Sequence, residues 1–176
     1  PFSAGRTNVN ESYDLFREAS IDLTCKADQW SAALGVADQE LRRALAHGFS
    51  AAELREITAN FVNSLEQAVK TAPTRRSGQL ASSLVSSLND REVFTHPAAD
   101  LALYKPALEK ITPADCLAGL RAAWPDTGRY VSVTGNAQIP AAEATAQLTA
   151  AYAQSAAIAV AAPAVETDTA WAYTDF

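Results

Sequence analysis

The stretch His47-Gly48-Phe49-Ser50-Ala51-Ala52-Glu53 constrains this chain more than any other. A glycine directly after a helical run stops a helix, and a histidine in the preceding turn suits the negative end of its dipole. Ser50 and Glu53 stand at the spacing of a capping box, which opens a new helix. Two helices must therefore meet at Gly48. Upstream, Trp30, Leu34, Ala37, Leu41 and Leu45 recur at helical spacing, with Asp28 placed to cap the start. Downstream, Leu54, Ile57, Phe61, Leu65 and Ala68 form a second stripe, closed by Pro73. Phe49, Leu54 and Phe61 are expected to anchor the paired long helices in the core.

The remaining chain reads as further helices between short extended runs. Residues 2–6 suit a short strand, and Asn8 to Asn10 suit a turn. Residues 19–27 (ASIDLTCKA) alternate with period two. Ile21, Leu23 and Cys25 fall on one side and Asp22, Thr24 and Lys26 on the other, as in a half-exposed antiparallel strand. Residues 75–88 carry Leu80, Leu84 and Leu88 at helical spacing, and Pro97 opens a helix with Leu101, Tyr104 and Leu108. Thr112-Pro113-Ala114-Asp115 opens another, carrying Cys116, Leu117, Leu120 and Trp124. Residues 125–128 read as a turn, 130–134 (YVSVT) as a strand and 140–154 as a last helix.

With 38 alanines, the chain favours closely packed helices, since alanine forms helices well and fills cores poorly. The expected class is α+β: a small antiparallel sheet with several helices packed on one face, helix-rich. The expected organisation is a single domain over 1–162 and a linker or tail over 163–176, in which Trp171 and Tyr173 alternate as in a strand.

Charge and composition narrow the function. A net charge of −6 with no basic run argues against nucleic-acid binding, which needs a cationic face to displace counterions. The longest apolar run, 156–164, is about half a bilayer span and contains Pro163, so no membrane span is expected. Cys25 and Cys116 are too few for a disulfide scaffold or a cysteine-based zinc finger. A single bond between them stays open. The chain starts at Pro1 and contains no methionine, which favours a piece cut from a longer protein.

No catalytic constellation emerges. His47 and His96 lie 49 residues apart, with no second ligand at helical spacing. His47 reads as a helix C-terminal residue and His96, before Pro97, as a loop or N-cap residue. Cys25 and Cys116 sit on apolar faces and read as buried thiols. Thr134-Gly135-Asn136 has one glycine, too few for a phosphate loop. Arg42-Arg43 and Arg75-Arg76 read as solvated pairs, and the three tryptophans lie too far apart for a carbohydrate platform. The sites expected are none for catalysis, none for a cofactor and none for a metal.

An ordered set of segments carries a resemblance. QELRRALAHGFSAAELREI fits the pattern E-L-x-R…x-G-F-[ST]-x-x-E-L. NFVNSLEQAV, RSGQLASSLVSSL and VFTHPAADLAL follow, then Ile111-Thr112-Pro113 and YVSVTG. Together they resemble the non-catalytic domain of the insulinase/pitrilysin-type zinc metallopeptidases, over roughly residues 19–136. The end, Trp171-Ala172-Tyr173-Thr174-Asp175-Phe176, looks like the linker to the second half of the large bacterial periplasmic members.

That family holds zinc through H-x-x-E-H, whose Glu acts as general base, plus a distant Glu. This sequence contains no H-x-x-E-H. The resemblance thus implies a structural fragment with no zinc of its own. It would support the catalytic domain and form part of the wall of a chamber for peptide substrates, in the periplasm. Its partners would be the catalytic domain and second half of the same polypeptide. The family's domain has earlier strands without a counterpart here. The chain is thus expected to begin part-way through its domain, with open sheet edges that favour a homodimer. Two other readings stand beside this one. One is a stand-alone helical protein-interaction module without peptidase activity. The other, least favoured, is a small enzyme using His47, His96 or a cysteine.

Overall fold

The computed structural model describes residues 1–12, 15–125 and 128–163. The class is α+β and helix-rich: among the described residues an antiparallel hairpin of β1 (Ala4–Ser12) and β2 (Phe16–Thr24) precedes six helices. The helices are α1 (Trp30–His47), α2 (Ala51–Thr71), α3 (Ser77–Asn89), α4 (Pro97–Leu108), α5 (Pro113–Ala123) and α6 (Ala144–Ala156). Short 3-10 turns at Ala27–Gln29 and Ala72–Thr74 precede α1 and follow α2.

The hairpin corrects two expectations. Asn8 to Asn10 form no turn, because they pair across β1 with Ser20, Ala19 and Glu18 of β2. β2 starts at Phe16, three residues before the alternation expected from 19. Arg6 lies opposite Asp22 and Glu11 opposite Arg17, so opposite charges face each other across the ladder. Ile21 and Leu23 are half-buried while Asp22 and Thr24 are exposed, as the period of two requires. β2 lies against α1.

α1 is the central helix. Ala33 and Leu41 of α1, Ala151 of α6 and Pro97 at the start of α4 are the buried apolar residues among those described, and α6 packs along α1. Gly48 ends α1 with its amide bonded to the Ala44 carbonyl at 2.8 Å. Its φ of 71° and ψ of −149° lie in a region essentially closed to side chains. A Cβ there would come within 3.3 Å of Leu117 on α5. α5 is tied to the same end of α1 by Arg121, which donates to the Leu45 carbonyl at 2.9 and 3.2 Å.

Asp28 does not cap α1. It sits within the 3-10 turn, and the N-cap position is Gln29, with no side-chain hydrogen bond. The capping boxes expected at Ser50/Glu53 and Thr112/Asp115 are both complete. Pro97 opens α4, whose last turn also accommodates Pro106.

The pairing of the two long helices is corrected. α2 packs on α4, with Lys105 Nζ 3.2 Å from Glu66 Oε1 across that contact. The turn at Gly48 sends α2 away from α1 and toward α4. The expected anchors are accordingly not in a core: Phe49 is 37% exposed and Phe61 48%, and Leu54 is half-buried. The α2 face that turns inward carries Val62, Leu65 and Val69, displaced around the helix from Ile57 and Phe61. Leu84, Val85 and Leu88 leave the apolar face of α3 exposed.

The strand expected over 130–134 is absent. Among the described residues the sheet holds only β1 and β2, so this segment has no ladder to join. The last helix begins at Ala144 rather than 140, after turns at 141–143. Asp126 and Thr127 of the expected turn lie outside the described residues, as does all of the tail beyond Pro163, with Trp171 and Tyr173.

A globular monomer of 18.6 kDa exposes about 8,200 Å². This chain exposes 13311 Å². Fully solvated chain carries about 1.45 Å² per dalton, so the undescribed residues could add only about 2,600 Å². The fold thus leaves more surface open than a globular monomer of its mass, and large hydrophobic residues such as Ile57, Leu88 and Leu103 are part of it.

Candidate functional site

The densest polar cluster is built on α1. Asp38 and Arg42 are four residues apart and share one helix face. The Asp38 side chain is 2% exposed, and Arg42 Nε donates to its Oδ2 at 3.0 Å. Ser155 of α6 donates from Oγ to the same oxygen at 2.7 Å. Arg129, from the loop before α6, places Nη1 3.8 Å from Asp38 Oδ1 and donates to the Tyr152 hydroxyl at 2.9 Å. Oδ1 itself is buried without a hydrogen bond.

Arg42 also closes the end of α6. Its Nη2 donates to the Ser155 carbonyl at 2.7 Å and its Nη1 to the Ile158 carbonyl at 2.8 Å. A guanidinium at a helix C-terminus satisfies orphan carbonyls and complements the dipole. Further along α1, Arg43 Nε donates to the Ala161 carbonyl at 3.2 Å, and His47 Nε2 lies 3.3 Å from the Val160 carbonyl. Arg43 also pairs with Glu40. One side of α1 thus holds the chain from 155 to 161 by its carbonyls.

Arg42-Arg43 is therefore not a solvated pair. The Asp38-x-x-x-Arg42 spacing carries the local part of this signal. Its burial depends on Ser155 and Arg129, which come from distant sequence.

Chemically, the cluster is a clamp. A carboxylate flanked by two guanidinium groups is neutralised, and a metal cation brought to it would meet two fixed positive charges. Among the described residues no group of three or more His, Cys, Asp or Glu could hold a metal ion. The residues of this cluster, one carboxylate between two guanidinium groups, do not fit zinc.

The structure disperses the other sequence candidates. His47 lies in the last turn of α1. His96 is the N-cap of α4, its Nδ1 accepting from the Ala98 amide at 3.1 Å. Cys25 and Cys116 are half-buried free thiols, with no bond between them. Gly135 adopts φ 121° in a bend, and the next helix starts only at Ala144, so no helix N-terminus backs that loop. Arg75 Nε donates to the Ala72 carbonyl at 3.2 Å.

Two carboxylates are set by local geometry. Glu53 accepts from the Ser50 amide at 2.6 Å, and that bond, with the Ser50 hydroxyl, holds its carboxyl below the ordinary value against a small opposing effect of burial. Asp115 is held low first by the Thr112 hydroxyl at 2.6 Å and then by the Thr112 amide at 2.9 Å. Both are capping groups at helix starts.

No family model matches the sequence, and no curated protein matches it. Among solved structures, the chain is similar to the first half of the periplasmic protease PqqL from Escherichia coli. The TM-score is 0.69 at 19% identity, over 93% of this chain and 35% of that one. The chain spans about a third of the length of that neighbour. The two share a fold.

Proposed function

We propose that this chain is a non-catalytic structural domain of a zinc-dependent endopeptidase of the insulinase type, acting in the periplasm. It supports the catalytic domain and forms part of the chamber wall around peptide substrates. The observation that carries this reading is the likeness to part of a periplasmic protease over 93% of the chain, joined to a sequence without H-x-x-E-H. The uncovered apolar surface supports it. Among the described residues seventeen large hydrophobic side chains are exposed, from Phe2 to Ile158, and such surface marks contact with other protein. The polar groups point the same way, since Asp38, Arg42 and Arg129 brace helices.

The test begins with the coding sequence on both sides of this chain. An in-frame H-x-x-E-H segment upstream and a second half downstream support the proposal. The purified chain should then carry no stoichiometric zinc and cleave no peptide, whereas the protein with its catalytic domain should bind zinc and cleave peptides. A frame closed at both ends overturns it in favour of a stand-alone helical interaction module. Zinc bound at one equivalent by the chain alone counts against both readings.

A further inference from the structure

Past the end of α6 the chain loses regular structure but stays against α1. Among the described residues no main-chain hydrogen bond holds residues 159–161. Their side chains hold little either: Ile158, Ala159 and Ala161 are exposed, and Val160 is half-buried. The contacts come from α1. Arg42 Nη1 donates to the Ile158 carbonyl at 2.8 Å and Arg43 Nε to the Ala161 carbonyl at 3.2 Å. His47 Nε2 stands 3.3 Å from the Val160 carbonyl, and a carbonyl only accepts, so that nitrogen takes part as an N–H. All three acceptors are main-chain atoms, which every residue carries. The seat thus requires particular residues of α1, while the segment it holds requires no particular side chain.

The strength of the contacts changes along the chain. At Ser155 the attachment is buried, through the Asp38 carboxylate. From Ile158 to Ala161 each bond is exposed, so water competes for the same groups and each holds weakly. A segment tied in this way opens locally while the helices beneath it stay packed. Arg42 joins the two regimes. The guanidinium that binds the Ile158 carbonyl also binds Asp38 Oδ2 and the Ser155 carbonyl. Losing the outer partner frees one end of that group and loosens its hold on the end of α6.

We infer that residues 157–161 are a detachable strap, seated on α1 by main-chain carbonyls and coupled through Arg42 to the packing of α6 on α1. The strap leads the chain from α6 toward His47, next to the turn at Gly48. The inference does not rest on the peptidase reading.

Nitrogen-15 relaxation of the 176-residue chain tests it. Order parameters at 159–161 are expected at about 0.85, as in rigid backbone, and below about 0.6 in the variant Arg43→Ala/His47→Ala. Alanine favours the helix, so α1 should persist, as circular dichroism would check. Amide exchange at Ala157 and Ile158, which close the end of α6, should speed up several-fold in that variant. A second variant, Ile158→Ser/Ala159→Ser/Ala161→Ser, keeps every carbonyl and should stay as rigid as the wild type. Residues 159–161 that are already mobile in the wild type overturn the inference. So does a strap that stays rigid without Arg43 and His47, or one released by the three serines. Unchanged exchange at Ala157 and Ile158 after release refutes the coupling, and loss of α6 in the alanine variant refutes detachment.

Discussion

At the scale of single residues, Gly48 and Asp38 carry the most structure. Gly48 combines φ 71° with a close approach to Leu117, so any side chain is strained there and also meets α5. Gly48→Ala is expected to cost about 1–3 kcal/mol, read as a shift in the urea midpoint at unchanged slope. Asp38→Asn keeps the shape and removes the charge that Arg42 and Arg129 face. Both guanidiniums are about a quarter exposed, at 23% and 27%, which moderates the loss. The expected cost is about 2–3 kcal/mol. Exchange protection should fall first in α6, which Arg42 and Ser155 join to α1. A loss spread evenly over the chain would refute the clamp. Gly48 was legible because its signal is local: a histidine, a glycine and a capping box in seven residues. Arg42 was half legible. Its partner Asp38 is one helical turn away, whereas the carbonyls it holds belong to Ser155, 113 residues on, and Ile158, 116 residues on.

At the scale of elements, chain contacts three residues apart were readable and contacts across the fold were not. Both capping boxes form as their spacing dictates, with Ser50 accepting from Glu53 at 3.1 Å and Thr112 accepting from Asp115 at 3.3 Å. Ser50→Ala should cost about 1 kcal/mol, measured by chemical denaturation, with fraying of the first turn of α2. The carboxyl of Glu53 is held below its ordinary value of 4.5 by bonds to its ionised form. Its stabilisation is therefore complete above about pH 4.5 and is lost as pH falls through the lower folded value. The stability difference between wild type and Glu53→Gln should shrink below that pH. A difference that grew on acidification would contradict the geometry. Strands behave differently, because alternation gives a segment two faces and no partner. The Asn8 to Asn10 stretch has turn composition, yet it is strand because β2 lies beside it. Residues 130–134 have strand composition, yet they are not strand because nothing described lies beside them. α6 starts without a side-chain cap, so its first residue had no marker in an alanine-rich run.

At the scale of the whole molecule, the exposed apolar surface sets the behaviour. Phe61 is 48% exposed, so Phe61→Ala in this chain should cost about 1 kcal/mol, near half the transfer value of a buried ring. The same substitution in a longer protein that covers α2 should cost about 3–5 kcal/mol. Comparing denaturation midpoints in the two contexts measures how much of that face is covered, and equal costs would mean that it is not. The chain alone should also bind a hydrophobic dye in its native state, through α3 and the outer side of α2. The sequence by itself determined what depends on neighbours along the chain: the helix-rich α+β class, the two capping boxes, the stop at Gly48 and the two faces of β2. These follow from backbone hydrogen-bond satisfaction over a few residues. Only the tertiary structure decided that α1 pairs with α6 and α2 with α4, that Arg42 is half-buried against Asp38, and that Phe61 faces outward. An apolar stripe fixes which side of a helix seeks cover. The turn between helices fixes which cover it finds, and at Gly48 that turn points α2 away from α1.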